Sequence, residues 1–291
     1  MEGVRKVVCR RVRLHDKLTR ELLAEFIGTA FLLLVGTGSV AQWLLSHQER
    51  NAWIGINLCW GLGVMFGAYI CGGVSGGHMN PAVSVMAFVM GDLSFVRMLL
   101  YSVAQTAGAF FGALLTYLTY YDAINVHDGG IRMVRGENGT AGIFTTFPSP
   151  HISVWGAVLD QIVGTGILTL CVKAIGDKRN GNVPGFLHPL LAGLVVAMIG
   201  MCFGMNCGYP INPGRDLGPR ILTAIIYGWE VFSYNNYTWF WIPLVGPTIG
   251  AVVGAWLYKL FIGLHWSDEL EVVAVEEVML LSKGSKVTTM T

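Results

Sequence analysis

Of 291 residues, 53% are aliphatic, aromatic, Met or Cys, 13% are charged, and mean hydropathy is +0.56, a balance too apolar for an ordinary soluble domain and fitting for a chain that crosses a bilayer repeatedly. The formal net charge of +1 excludes the basic surface of a nucleic-acid binder. No cysteine spacing suggests a metal site, and no nucleophile with a base, phosphate loop or cofactor motif stands out, so neither an enzyme, a cofactor nor a bound metal is expected.

Residues 1–20 form a basic arm with Arg5, Lys6, Arg10, Arg11, Arg13, Lys17 and Arg20. Apolar runs of about 20 residues, enough to cross roughly 30 Å of hydrocarbon, follow near 22–44, 53–72, 98–118, 155–176, 187–206 and 239–264. The first is too long, and too poor in small-residue cleavage signals, for a cleavable signal peptide. After the second and fifth runs come Gly77-His78-Met79-Asn80-Pro81-Ala82 and Gly208-Tyr209-Pro210-Ile211-Asn212-Pro213-Gly214. Asn followed by Pro reads as a helix start, because Asn caps free amides and Pro suits the first helical position. Each motif therefore opens a half-helix at membrane depth, where irregular backbone is tolerated only against protein or a polar cavity.

The two Asn-Pro pairs lie 132 residues apart, and Glu25 and Gln161 lie 136 apart in matching surroundings. A duplicated unit of three spans explains both spacings. Its odd number of spans inserts the copies upside down relative to each other. The expected fold is all-α: six transmembrane helices plus two re-entrant half-helices in an inverted repeat. Repeats at about 21–122 and 154–265 would make a channel domain over 21–265, followed by a tail at 266–291. The half-helix N-termini should meet near the midplane with partial positive charge. Small residues at four-residue spacing, Gly108 with Gly112 and Gly246 with Gly250 and Gly254, suit close helix approach.

The basic arm, together with Lys173, Lys178 and Arg179 between the fourth and fifth spans, places both termini in the cytoplasm. The loop after the third span is then outside, where Asn138 of Asn138-Gly139-Thr140 could accept a glycan; Asn236 heads a second such sequence, close to the last span. Trp239 and Trp241 read as interface anchors, and Cys207, near the outer mouth, as a site of mercurial block. Glu25 and Gln161 are polar groups inside spans and need partners in the bundle; they are expected to support the half-helix loops. Arg215 is a permanent charge in an apolar setting, which reads as selectivity or else as an ion pair with Asp216. His78 reads either as a hydrogen-bonded loop residue or as a pH sensor near the mouth. His127, His151 and His188 are weaker candidates for a pH response.

The twin motifs, the opening Ala24-Glu25-Phe26 and the run Asn212-Pro213-Gly214-Arg215-Asp216 resemble the major intrinsic protein family, and within it the aquaglyceroporins, from about residue 20 to residue 265. The resemblance implies a channel for glycerol and other small neutral solutes, urea included, together with water. It also implies a homotetramer embedded in lipid, each subunit with its own pore, and placement in the plasma membrane is expected. It makes Asn80, Pro81, Ala82, Asn212, Pro213 and Gly214 the pore motifs, with Gly214 where the family usually has Ala. It makes Trp60, Gly200, Tyr209 and Arg215 the selectivity filter, and Tyr120, Asp216, Arg220, Pro243 and Leu244 the glycerol-channel signature. Two aromatic walls, an absent side chain at Gly200 and one polar corner would suit a solute with C–H and hydroxyl faces. A water-selective pore is the alternative, and a secondary transporter, which shares inverted repeats and broken helices, a more distant one.

Overall fold

The computed structural model describes residues 13–266; the start of the basic arm, with Cys9, and the acidic tail from Asp268 onward lie outside the described residues. Six long helices match the six apolar runs: α1 (Lys17–Leu45), α2 (Trp53–Ser75), α4 (Phe95–Thr119), α6 (Val154–Gly176), α7 (His188–Cys207) and α10 (Ile242–Tyr258), the last continued by a π-helical turn over Lys259–Gly263. Two half-helices, α3 (Pro81–Val89) and α8 (Pro213–Tyr227), follow α2 and α7. Among the described residues there is no strand.

Local chemistry sets the helix ends. The Asp16 carboxylate accepts from Thr19 N at 2.7 Å, which starts α1 five residues before its apolar run. Ser94 and Ser153 cap α4 and α6 in the same manner. α2 and α7 stop at Gly76 and Gly208, both left-handed, at φ 92° and 68°. Two short helices, α5 (Tyr121–Asp128), in the connection that the sequence pattern reads as a loop, and α9 (Glu230–Ser233), after α8, join the longer ones. Their lengths put them below any span-sized hydropathy signal.

The repeats interlock. α1 packs on α2 and α4, and α6 on α7 and α10; the half-helix α3 also leans on α10, while α8 leans on α4. Each half-helix thus rests against the last span of the other repeat. Bare glycines permit the closest crossings: a Cβ on Gly61 would meet the Gly193 carbonyl and one on Gly193 the Gly61 carbonyl, both under 3.0 Å. Gly108 and Gly112 meet the backbone of α1 at Phe26 and Ala30, and Gly250 and Gly254 meet α6 at Ile162 and Gly166. Such approach lets dispersion contacts substitute for a hydrophobic driving force that lipid cannot supply.

Trp239 is not an interface anchor. It is 1% exposed, and its Nε1 donates to the Thr146 carbonyl at 2.7 Å. The last helix accordingly begins at Ile242, three residues later than the apolar run suggests.

Candidate functional site

Both half-helix loops turn through strained backbone just before the cap. Met79 and Ile211, each preceding an Asn, have φ of 48° and 38°, and Tyr209 has 37°. A positive φ is unfavourable for a non-glycine residue and for β-branched Ile211 above all. The strain aims two carbonyls across the midplane. Asn80 Nδ2 donates to Ile211 O at 3.0 Å, and Asn212 Nδ2 donates to Met79 O at 2.8 Å. Each Asn Oδ1 meanwhile caps its own helix, Asn80 to Ala82 N at 2.9 Å and Asn212 to Arg215 N at 3.1 Å. Pro81 and Pro213 occupy the first helical positions and leave no N–H to satisfy. Gly214 is buried, and a Cβ there would lie 3.1 Å from Pro81 Cδ, so its missing side chain lets the two half-helix starts abut.

Each loop is held from behind by a side chain of its own repeat. Glu25, fully buried, accepts four bonds: from Ser75 Oγ and His78 N on Oε1 at 2.5 and 3.0 Å, and from Met79 N and Gln105 Nε2 on Oε2 at 2.7 and 2.8 Å. In the second repeat Gln161 Oε1 accepts from Ile211 N at 3.0 Å, and its Nε2 donates to Asp160 at 2.9 Å, which in turn accepts from Asn206 at 2.8 Å. Ser75, Gln105 and Asn206 carry no sequence signal of this role, because their partners lie 46–80 residues away along the chain, and Asp160 is bonded to its neighbour Gln161.

A cavity of about 1280 Å³ runs past these loops. Its lining brings together Trp60, His78, Asn80, Tyr209, Asn212 and Arg215. Asp92, Lys173, His188 and Lys259 line it too, with Lys173 bonded to Asp92 at 2.7 Å. Gly200, Glu25, Gln161, Asp216, Arg220, Tyr120, Pro243 and Leu244 do not line it.

The Arg215 guanidinium lies 4.4 Å from the Trp60 ring centroid, and its Nη1 donates to Phe144 O at 3.2 Å. It is 7% exposed, and among the described residues no carboxylate pairs with it. Stacking on an indole face suits a weakly hydrated planar cation. The aromatic walls are seated by glycines behind them. Gly36 clears the Trp60 ring, while Gly200 and Gly204 clear the Tyr209 ring. The bare Gly200 thus leaves the space that the Tyr209 ring occupies.

Asp216 is committed elsewhere. It pairs with Arg220 at 2.7 Å and accepts from Thr146 N at 3.1 Å and from the Thr146 hydroxyl. Arg220 reaches the carbonyls of Val231 and Thr146 at 2.6 and 2.7 Å. This buried, fully bonded cluster anchors the loop whose Phe144 carbonyl holds Arg215. Tyr120, at the end of α4, donates to Gln42 at 3.3 Å, Pro243 is buried in the first turn of α10, and Leu244 is half-buried.

His78 Nδ1 is 3.1 Å from Ser84 Oγ, and its ring meets Tyr101 edge-on. His188 Nε2 is 3.0 Å from Val183 O, and His151 is 3.1 Å from Asn206. Asn138 is exposed, but Thr140 of the same sequence is buried beside Asp128 and Tyr227. Cys207 is fully buried against Trp239, Ile242 and Ala157, so it presents no thiol at the mouth.

With this geometry established, comparison with known proteins is decisive. Residues 13–258 match the family described as "Major intrinsic protein". The chain belongs to the major intrinsic protein family. It is 43% identical to aquaporin-9 of Mus musculus over 268 residues, covering 92% of this chain and 90% of that protein. It is 41% identical to aquaporin-10 of Homo sapiens over 256 residues, 87% and 84% of the two chains. It is also 42% identical to aquaporin-10 of Milnesium tardigradum, spanning 89% of this chain but only 66% of that one. An X-ray structure of the aquaglyceroporin from Plasmodium falciparum superposes with a TM-score of 0.77 at 32% identity, over 85% of this chain and 98% of that one. As a member of the family the chain is an integral membrane channel protein and not an enzyme.

Proposed function

We propose that the chain is a facilitative pore for glycerol and other small neutral solutes, urea among them, together with water, and that it refuses ions and protons. The observation that carries this reading is one corner of the cavity: Arg215, free of any carboxylate among the described residues, over the Trp60 ring at 4.4 Å, with the ring of Tyr209 lining the same cavity. Such a corner offers apolar faces to C–H groups and a guanidinium fork to hydroxyls. Its relatives point the same way, through their aquaporin names and the aquaglyceroporin structure.

Passage requires no covalent chemistry. A solute sheds water and gains bonds from Arg215, and farther in from the amides of Asn80 and Asn212. Each amide nitrogen carries two hydrogens, one of which holds the opposite loop. Two half-helix N-termini and a permanent cation make the passage positive, which disfavours cations and hydronium. The reading includes a homotetramer in lipid, residence in the plasma membrane, cytoplasmic termini, and a glycan on Asn138.

Purified protein in liposomes, followed by stopped-flow light scattering, tests it. Fast re-swelling under a glycerol gradient is expected, lost in Trp60→His while water flow persists. Rapid water flow with glycerol excluded in the wild type would replace this reading with a water-selective pore.

A further inference from the structure

One polar pair beside the cavity is left out of the hydrogen-bond network. Asn57, one turn before Trp60 on α2, is 0% exposed, and neither its amide oxygen nor its amide nitrogen has a partner. The Tyr209 hydroxyl, on a residue 6% exposed, is unpartnered too. The two sit together at Gly200: a Cβ on that glycine would fall within 3.0 Å of both Asn57 Oδ1 and Tyr209 Cζ, the carbon that bears the hydroxyl. The other buried polar side chains around the pore, Glu25, Gln105, Gln161, Asp160, Asp216 and Arg220, are bonded. A dry, unpaired polar group costs about 1–3 kcal/mol, and an amide has two such ends. If Asn57 served only to pack α2 against α7, an apolar residue of the same size would serve better.

We propose that Asn57 and the Tyr209 hydroxyl together form a station for one water-sized O–H group at the filter, filled by a resident water or by a hydroxyl of the passing solute. An O–H both donates and accepts, so a single group can donate to Asn57 Oδ1 while it accepts from the Tyr209 hydroxyl. Asn57 belongs to α2 and Gly200 to α7, Tyr209 to the loop between α7 and α8, and Arg215 to α8. Tyr209 lines the cavity and Asn57 does not, so the station is reached past the Tyr209 ring, with the Asn57 amide behind it. Asn57 becomes a specificity-determining residue, and Gly200 is the bare position that lets its amide meet Tyr209. The inference rests on the glycerol-conducting reading above.

Asn57→Leu removes both hydrogen-bonding ends at similar volume, and Tyr209→Phe removes only the hydroxyl. In liposomes each is expected to lower the glycerol-to-water permeability ratio by about threefold to tenfold, the equivalent of one net hydrogen bond. The double variant should fall no further, because both side chains share one occupant. High-resolution cryo-EM with and without glycerol identifies that occupant: density at the station in both conditions marks a resident water, density with glycerol alone a solute hydroxyl. Density in neither condition, or an unchanged ratio in both folded single variants, overturns the proposal. Tyr209→Phe and the density carry the test if Asn57→Leu does not fold. A wild type that passes water and no glycerol would sink the functional reading alone, and the density would still decide the station.

Discussion

The two half-helix junctions meet the same backbone demand with different side chains. In the first, Glu25 closes the loop from behind with four donors on one buried carboxylate, so charge, strain and backbone amides are resolved inside the protein. In the second, neutral Gln161 takes a single backbone amide and passes its own N–H to Asp160, and the charged residue of the site, Arg215, lines the cavity instead. The shared requirement is an acceptor for the loop N–H groups and a capping Asn. Everything beyond that differs between the two, and in the proposed function the second junction carries the selective residue.

Removing the acceptors should show the asymmetry most strongly. Glu25→Leu strands the amides of His78 and Met79, while Ser75 and Gln105 keep Cys71 O and Ser84 Oγ, and is expected to cost about 2–6 kcal/mol, against about 1–3 kcal/mol for Gln161→Leu. Thermal unfolding in detergent measures both; equal losses would mean the junctions are braced alike. Next in size is Gly200→Ala, whose methyl group collides with Asn57 and Tyr209 and drives the ring toward the lumen. Overpacking of about 1–3 kcal/mol, felt as a barrier to passage, should lower glycerol permeability at least about fivefold, with water affected less.

His78 belongs to the first junction, between Ser84 and Tyr101, with Glu25 bonded to its backbone and the Asp92–Lys173 pair on the same cavity wall. Charging its ring should change glycerol flux by about twofold between pH of about 8 and 5. A response that survives His78→Ala would place the pH sensor elsewhere. Smaller still is Gly214→Ala, where a helix-propensity gain of about 1 kcal/mol is offset by pressure on Pro81; stability and flux should both stay close to wild type. Cys207→Ser should leave any mercurial block unchanged, since that thiol is buried. Loss of block in this variant would show that the second junction opens in solution.

The sequence is most informative where the signal is local. Runs of span length, Asn followed by Pro, and an Asn-Pro spacing close to that of Glu25 and Gln161 together define six spans, two caps and an inverted repeat. Each follows from the requirement that a bilayer leave no backbone group unpaired. Polar residues inside apolar runs also announce themselves, since Glu25, Gln161 and Arg215 must each meet something other than lipid.

Which partner each one meets is a different matter, decided by contacts between residues far apart in the chain. Arg215 and Asp216 are neighbours, yet Asp216 turns to Arg220 and Thr146 while Arg215 turns to Trp60 and Phe144. Trp239 looks like an anchor at a membrane surface and is instead a buried donor to Thr146. Gly200 looks like an open corner and is a seat for the Tyr209 ring, with Asn57 beside it. Composition and periodicity determined that this chain crosses the membrane six times and breaks two helices in its middle. Only the packing of one repeat against the other, through glycine crossings and strained loops, decided which side chains face the pore and which hold it open.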